Sequence, residues 1–377
     1  MHIDKPTNTR GFTVLELIVA VSVTAVLSGM LLLISNQVLE TKSKSAAELE
    51  RNQIAHFVLD QIQEDLQCAF FRNDGNIWMA ISLLNDNSNS GGSWIEVENG
   101  DFSKPPQDSL RIVESDWPSE FLSESEIDAL GQGPFEKSRF GVAGSWLRFF
   151  SQSPEVDPNA KSKGAARAIA YQIIRRGVTD ASTSRIRYHL FRSDVSAKNT
   201  FESGYNLDPN LEASGYGASA SLVSLDPQDP TTPRLPATII NPVLSDGAEY
   251  PTNAFSLATN VIDFGIRAYR LEKNSFGTGN YVQLFPLIDI NSPGNLLVTE
   301  YFTTSHKTYQ TLSDPSFYSF PDVIDVMVRI LSENGARILE SYENGEIPNT
   351  ENIDWWSIAE EHSKCYFRRV KIYGRGI

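Results

Sequence analysis

From Phe12 to Ile34 nearly every position is apolar, and only Glu16 carries a charge. About 23 such residues are enough to cross the hydrocarbon layer of a bilayer as a helix. The pattern then becomes amphipathic without a break. Between Val38 and Gln67 there is no proline or glycine, and Ile54, Val58, Ile62 and Leu66 recur at four-residue spacing. Leu49, Phe57 and Leu59 widen that stripe, while Glu48, Arg51, Gln53, Asp60, Gln61, Glu64 and Asp65 fill the other face. This periodicity predicts one helix of about 55 residues, roughly 80 Å long, apolar all round at first and one-sided later. It stops at the turn-rich Arg72-Asn73-Asp74-Gly75-Asn76.

Beyond residue 76 the period falls to two. Ile169, Tyr171 and Ile173 precede Ile186, Tyr188 and Leu190, with Arg176-Gly177-Val178-Thr179-Asp180 between them, so the pair reads as an antiparallel hairpin. Arg187 and His189 alternate with the apolar residues, which predicts burial of one face only. Ile262, Phe264, Ile266 and Ala268, opposed by Asp263 and Arg267, form another alternating set, as do Ile324, Val326, Val328 and Ile330. Weaker strand candidates are Ile77–Leu84, Leu110–Val113, Trp146–Phe150 and Tyr366–Tyr373. Short helices are expected from the capping-box spacing at Ser123-Glu124-Ser125-Glu126 and after Thr350, through Trp355, Trp356 and Glu361. The stretches Asn85–Gly92 and Asp194–Pro242 lack periodicity and read as large insertions. The expected class is α+β: a long N-terminal helix, transmembrane then amphipathic, packed on antiparallel β-sheet.

Glu16 changes this picture most. A carboxylate inside a spanning helix costs roughly 2.5–3.5 kcal/mol on insertion scales, which marks it as functional. A polar leader ending Thr9-Arg10-Gly11 precedes it, so the chain reads Gly11-Phe12-Thr13-x-x-Glu16 and then an apolar helix. This arrangement resembles the processing site of type IV prepilins. The resemblance implies that a prepilin peptidase cuts between Gly11 and Phe12 on the cytoplasmic side and methylates the new amino terminus. Glu16 would then pair with the Phe12 amine of a neighbouring subunit and set register between helices, a use of buried charge that is well attested in coiled coils. An ordinary signal anchor with a snorkelling Glu16 is the plainer alternative. The resemblance implies residues 1–11 as leader, 12–34 as transmembrane helix, 35–72 as its amphipathic continuation and 73–377 as a pilin-like globular domain outside the cytoplasm. Lys5 and Arg10 on one side and Lys42 and Lys44 on the other leave orientation undecided by charge alone.

The order of elements narrows the likeness. Glu50-Arg51 with Asp60-Gln61-Ile62-Gln63-Glu64-Asp65-Leu66, the central hairpin, Asn260-Val261-Ile262-Asp263-Phe264 and Phe320-Pro321-Asp322-Val323-Ile324-Asp325-Val326 resemble the J-class minor pseudopilins of type II secretion. The chain's size and insertions are closer to the Verru_Chthon cassette protein C family. The partners implied are prepilin peptidase, other pilin or pseudopilin subunits and the inner membrane.

The net charge of −15 argues against nucleic acid as a partner, because phosphate binding needs basic surface. The two cysteines, Cys68 and Cys365, are a candidate disulfide in an oxidising compartment, with two unrelated free thiols as the other reading. Asn85, Asn87, Asn89, Ser93 and Glu96 fall at calcium-loop spacing, although Ser90 stands where glycine is needed and flanking helices are lacking. No other cofactor is expected. Asp263-Phe264-Gly265 copies a kinase tripeptide without the loops that accompany it, and the five histidines have no metal-site spacing. The expectation is therefore a non-enzymatic, membrane-anchored minor subunit of a pilus-like or pseudopilus-like fibre. The alternatives are an anchored module binding polysaccharide or a cell-surface ligand through its insertions, and an anchored hydrolase, for which no site is visible.

Overall fold

In the computed structural model the described residues are 13–83, 96–97, 101–102, 145–152, 166–178, 185–194, 197, 200, 205–207, 256–273, 279–289, 296–298, 300–305, 315–344, 346–347 and 355–373. The chain divides into two compact units, Met1–Glu50 and Arg51–Ile377, and one helix, α1 (Val14–Gln67, 54 residues), begins in the first and ends in the second. The expected long helix is present. The expected helix after Ser123, the strand Leu110–Val113 and nearly all of both insertions lie outside the described residues; the helix expected through Trp355, Trp356 and Glu361 is present as Trp355–His362, while its expected start at Thr350 lies outside them.

In the first unit the side chains of α1 are exposed on every side, including Leu15, Ile18, Val21, Leu27, Leu31 and Ile34. Its length and composition suffice to cross a membrane. The hydroxyls in this stretch are satisfied within the helix: Ser22 donates to the Ile18 carbonyl at 2.8 Å and Thr24 to that of Ala20 at 2.7 Å. This is how a helix carries small polar residues where water is absent.

The second unit combines the end of α1 with antiparallel sheets. Its strands in chain order are β1 (Met79–Leu83), β2 (Glu96–Val97), β3 (Asp101–Phe102), β4 (Ser145–Gln152), β5 (Ala166–Gly177), β6 (Ile186–Asp194), β7 (Ser256–Thr259), β8 (Val261–Lys273), β9 (Gly279–Phe285), β10 (Leu287–Asp289), β11 (Leu296–Val298), β12 (Glu300–Phe302), β13 (Val323–Leu331) and β14 (Ser363–Lys371). Helices α2 (Glu333–Glu343) and α3 (Trp355–His362) lie between the last two strands. One sheet runs β12-β1-β4-β5-β3-β2, with β6 paired to β5 and β7 to β6; a second runs β14-β13-β8-β9. Strands β10 and β11 form a separate pair. The predicted hairpin is β5–β6, with Ile173 opposite Leu190. The two later alternating segments are β8 and β13, with Phe264 opposite Val328 and Ile266 opposite Val326.

Within this unit, Ala55, Val58, Leu59, Ile62 and Leu66 of α1 join one core with Tyr171, Leu190, Phe264, Ile266 and Val328. The Tyr171 and Phe264 rings stand 6.3 Å apart, so both sheets contribute to that core. Val58, Ile62 and Leu66 are fully buried, each contributing roughly 1.5–3 kcal/mol. Two residues of the predicted stripe fall elsewhere: Leu49 and Phe57 are 59% and 56% exposed. A helix covered on one side has room for a limited apolar arc, and Phe57 lies outside it.

The expectation of one-sided strands is corrected by the packing. Arg187 and His189 of β6, and Asp263 and Arg267 of β8, are all buried. Charged residues enter a core when partners wait for them. Arg187 donates to Glu340 of α2 at 2.7 Å and to Glu333 at 3.4 Å; the His189 ring bonds Ser256 of β7 at 2.9 Å. Helix α2, absent from the sequence reading, is thus held on the polar side of β6. Its N-cap is Ser332, whose hydroxyl accepts from the Gly335 N–H at 3.0 Å.

Candidate functional site

The start of α1 is closed by a capping box between Thr13 and Glu16. The Thr13 N–H and hydroxyl both donate to Glu16 Oε2, at 2.9 and 3.0 Å, and the Glu16 N–H donates back to Thr13 Oγ1 at 3.3 Å. Helix N-termini leave N–H groups without intrahelical acceptors, and this reciprocal pair supplies them. Thr13, part of the Gly11-Phe12-Thr13-x-x-Glu16 motif, thus also has a local structural role, for Thr-x-x-Glu is the signature of such a box. Gly11 and Phe12, where processing is expected, lie outside the described residues. Both described hydrogen bonds to the Glu16 carboxylate go to Oε2.

Further along, the second-unit part of α1 is fixed by polar contacts to both sheets. Asp65, assigned from sequence to the solvated face, is buried. It accepts from Arg192 of β6 at 2.7 and 2.9 Å and from the Tyr171 hydroxyl of β5. Arg192 also reaches Asp194 at 3.1 Å, and Arg167 pairs with the same carboxylate at 3.1 Å. Burial pushes the Tyr171 hydroxyl well above its usual titration range, and the Asp65 charge adds to the effect. On the side facing the other sheet, the Tyr366 hydroxyl of β14 donates to Asn52 at 2.7 Å, and Arg368 donates to Asp60 and, at 3.1 Å, to Gln63. The bond from Arg368 holds the Asp60 carboxyl below the usual carboxylate range. Between these contacts the outward residues of the helix are Gln53, His56, Phe57, Asp60 and Glu64.

The other candidate residues are not brought together. Cys68 and Cys365 are not disulfide-bonded, so the bridge considered from sequence is not formed. The reason is distance: Tyr366, the neighbour of Cys365, bonds Asn52, which lies about 24 Å up the helix axis from Cys68. A disulfide needs Cα atoms within about 7 Å. Burial pushes the Cys68 thiol up, reinforced by Glu64 and Asp65. Of the calcium-loop residues, Asn85, Asn87, Asn89 and Ser93 lie outside the described residues, and Glu96 stands in β2 opposite Phe102. Asp263-Phe264-Gly265 is interior strand: Asp263 is paired with Arg329 at 3.9 Å and Phe264 lies in the core.

The family model described as the prokaryotic N-terminal methylation motif matches residues 6–32. That span contains the Gly11-Phe12 junction, Glu16 and most of the apolar run. The match supports a type IV prepilin-like, membrane-anchored subunit. No curated protein matches the chain, and no solved structure does.

Proposed function

We propose that the chain is a non-enzymatic minor pilin or pseudopilin, cut between Gly11 and Phe12 by prepilin peptidase and assembled with related subunits through α1. The observation that carries this reading is the methylation motif at residues 6–32 on a helix whose apolar beginning is bare and whose end is built into a folded domain. The leader would lie in the cytoplasm and the second unit beyond the inner membrane, on the periplasmic or extracellular side. The order helix, hairpin β5–β6, β8 and β13 supports a J-class-like role; the large insertions favour the cassette family and a place at a fibre tip.

The packing limits which residues of α1 are left for assembly. Val58, Ile62 and Leu66 are used up inside the second unit, so they cannot also meet a neighbour. Phe57, with Gln53, Asp60 and Glu64 around it, is the apolar knob left outward there. At the N-terminus, Glu16 Oε2 is occupied by Thr13, and Oε1 is the oxygen offered to a neighbour's Phe12 amine.

The test uses the full chain in native membranes together with its sister prepilin-like subunits. Glu16→Val should insert normally and fail to co-purify with them, because a neighbour's amine would be left unpaired in lipid. Phe57→Asp should fold and associate more weakly. Co-purification of both variants at the wild-type level would overturn the assembly reading.

A further inference from the structure

Two tyrosine rings at one end of the β14-β13-β8-β9 sheet stand outside the core. Tyr281 of β9 is 51% exposed, and Tyr373, two residues past β14, is 66% exposed. Tyr281 pairs with Leu271 of β8, and its ring stands 6.4 Å from that of Tyr269, two residues back along the same strand. At the end of β14, Val370 and Ile372 are buried while Lys371 and Tyr373 are exposed. Lys371 lies opposite Val323 of β13, and Val323 opposite Tyr269, so both exposed rings share one face. Side-chain alternation puts Tyr366 and Arg368, which bond α1, on the other face. Three strand spacings separate Tyr281 from Tyr373, about 14 Å.

A charged pair is fixed between the two rings. Arg369 of β14 donates to both carboxylate oxygens of Asp325 of β13, each at 2.7 Å. Its guanidinium also lies 5.5 Å from the Tyr269 ring centre and 5.4 Å from that of Tyr281. The Arg369 side chain is nevertheless 54% exposed. The pair uses Nε and Nη2, so the N–H groups of Nη1 are the ones offered to a ligand.

These features select a partner by its chemistry. A protein laid on this face would bury the Arg369–Asp325 pair, and desolvating an ion pair offsets the attraction within it. A polyanion would have to approach a chain of net charge −15. An uncharged sugar chain meets neither cost. Its C–H faces stack on the rings, its hydroxyls bond the fixed charges, and water stays around them. Two rings about 14 Å apart on a flat sheet suit an extended chain better than a coiled one.

We propose that this face binds an uncharged, extended, β-linked glycan, with Tyr281 and Tyr373 as stacking platforms and Arg369 as a hydrogen-bond donor to a hydroxyl between them. The site lies on the sheet face turned away from α1, so its test leaves the processing and assembly readings untouched.

The experiment is isothermal titration calorimetry on the full chain, in micelles of a detergent without a sugar headgroup. The probes are cellohexaose and chitohexaose as extended chains, maltohexaose as a coiled one and hexagalacturonate as a charged one. At least one extended chain should bind, more tightly than the coiled and charged probes. Raising the salt from about 0.1 to 1 M should leave that affinity unchanged. Tyr281→Ala and Tyr373→Ala, both at exposed side chains, should each weaken it about three- to tenfold, whereas Tyr281→Phe and Tyr373→Phe should retain it. Lys371→Glu and Phe57→Ala should bind like wild type, because neither alters a platform ring or Arg369. No binding of either extended chain, equal binding of maltohexaose, or alanine variants that bind like wild type would each overturn the proposal. So would a preference for hexagalacturonate, or binding lost in salt or in Lys371→Glu, which would identify a polyanion as the occupant.

Discussion

Asp65→Ala should loosen the attachment of α1 to the β5–β6 hairpin more than any other single polar change on that helix. The substitution removes two guanidinium hydrogen bonds, at 2.7 and 2.9 Å, and the acceptor of the Tyr171 hydroxyl. Stranding one member of a buried ion pair costs about 3–5 kcal/mol. Arg192 retains Asp194 at 3.1 Å and its side chain is 20% exposed, so the lower end of that range, about 3 kcal/mol, applies to it. The fully buried Tyr171 hydroxyl adds about 1 kcal/mol once its acceptor is gone, giving about 4 kcal/mol in total. The assay is urea unfolding of the full chain in detergent, followed through the buried Trp78, Trp146 and Trp355. With a slope of about 3 kcal/mol per molar urea, the midpoint should fall by about 1.3 M. Replacing both partners with apolar side chains, Asp65→Leu with Arg192→Met, should recover part of the loss, since neither then needs a buried charge partner. Asp60→Ala, which alters an exposed carboxylate on the same helix, should move the midpoint far less. A midpoint for Asp65→Ala within about 0.3 M of wild type would refute the buried-lock account.

Stability should decline in alkali through Tyr171. Its folded pKa lies above the unfolded value of about 10, so beyond that pH the unfolded chain loses a proton that the folded one keeps, and the contribution fades as pH rises towards the folded pKa. Urea midpoints measured from pH 9 to 11 should fall, and Tyr171→Phe should make the decline shallower; an identical slope would contradict the assignment. Gly335→Ala should destabilise by about 1–2 kcal/mol, because an added Cβ would come within 2.4 Å of His362 Cβ, outweighing alanine's better helix propensity. Thermal melting of the variant reads this directly, and an unchanged melting temperature would show that α2 and the end of α3 can separate freely.

Where the sequence was informative, period and local chemistry agreed. The four-residue recurrence from Ile54 to Leu66 placed the docked part of α1, and the alternations at 169–173, 186–190, 262–268 and 324–330 placed four central strands. Helix α2 was hidden because Asn334-Gly335 reads as a turn; in the fold Gly335 sits in the first turn of a helix where only a small residue passes His362. Strand β9 was missed because Gly279-Asn280-Tyr281 offers little apolar contrast, and its place as an edge strand depends on β8. The buried positions of Asp65, Arg187 and Asp263 could not be read from alternation, since each depends on a partner far away in sequence. The cysteine pair failed for the same reason: separation in space follows from where β14 lies along α1, and local spacing does not encode that. The residues 11–16 were legible because their chemistry is local. A lone carboxylate in an apolar run is conspicuous without any knowledge of the fold.

The central claim is that the chain is a processed prepilin-like subunit, and its mature N-terminus tests that most directly. Intact-mass and N-terminal peptide mass spectrometry should be performed on the full chain extracted from membranes of cells with active prepilin peptidase. The account predicts a chain beginning at N-methylated Phe12, with Gly11→Ala accumulating as the uncut precursor. A wild-type chain retaining residues 1–11 in those membranes would contradict it.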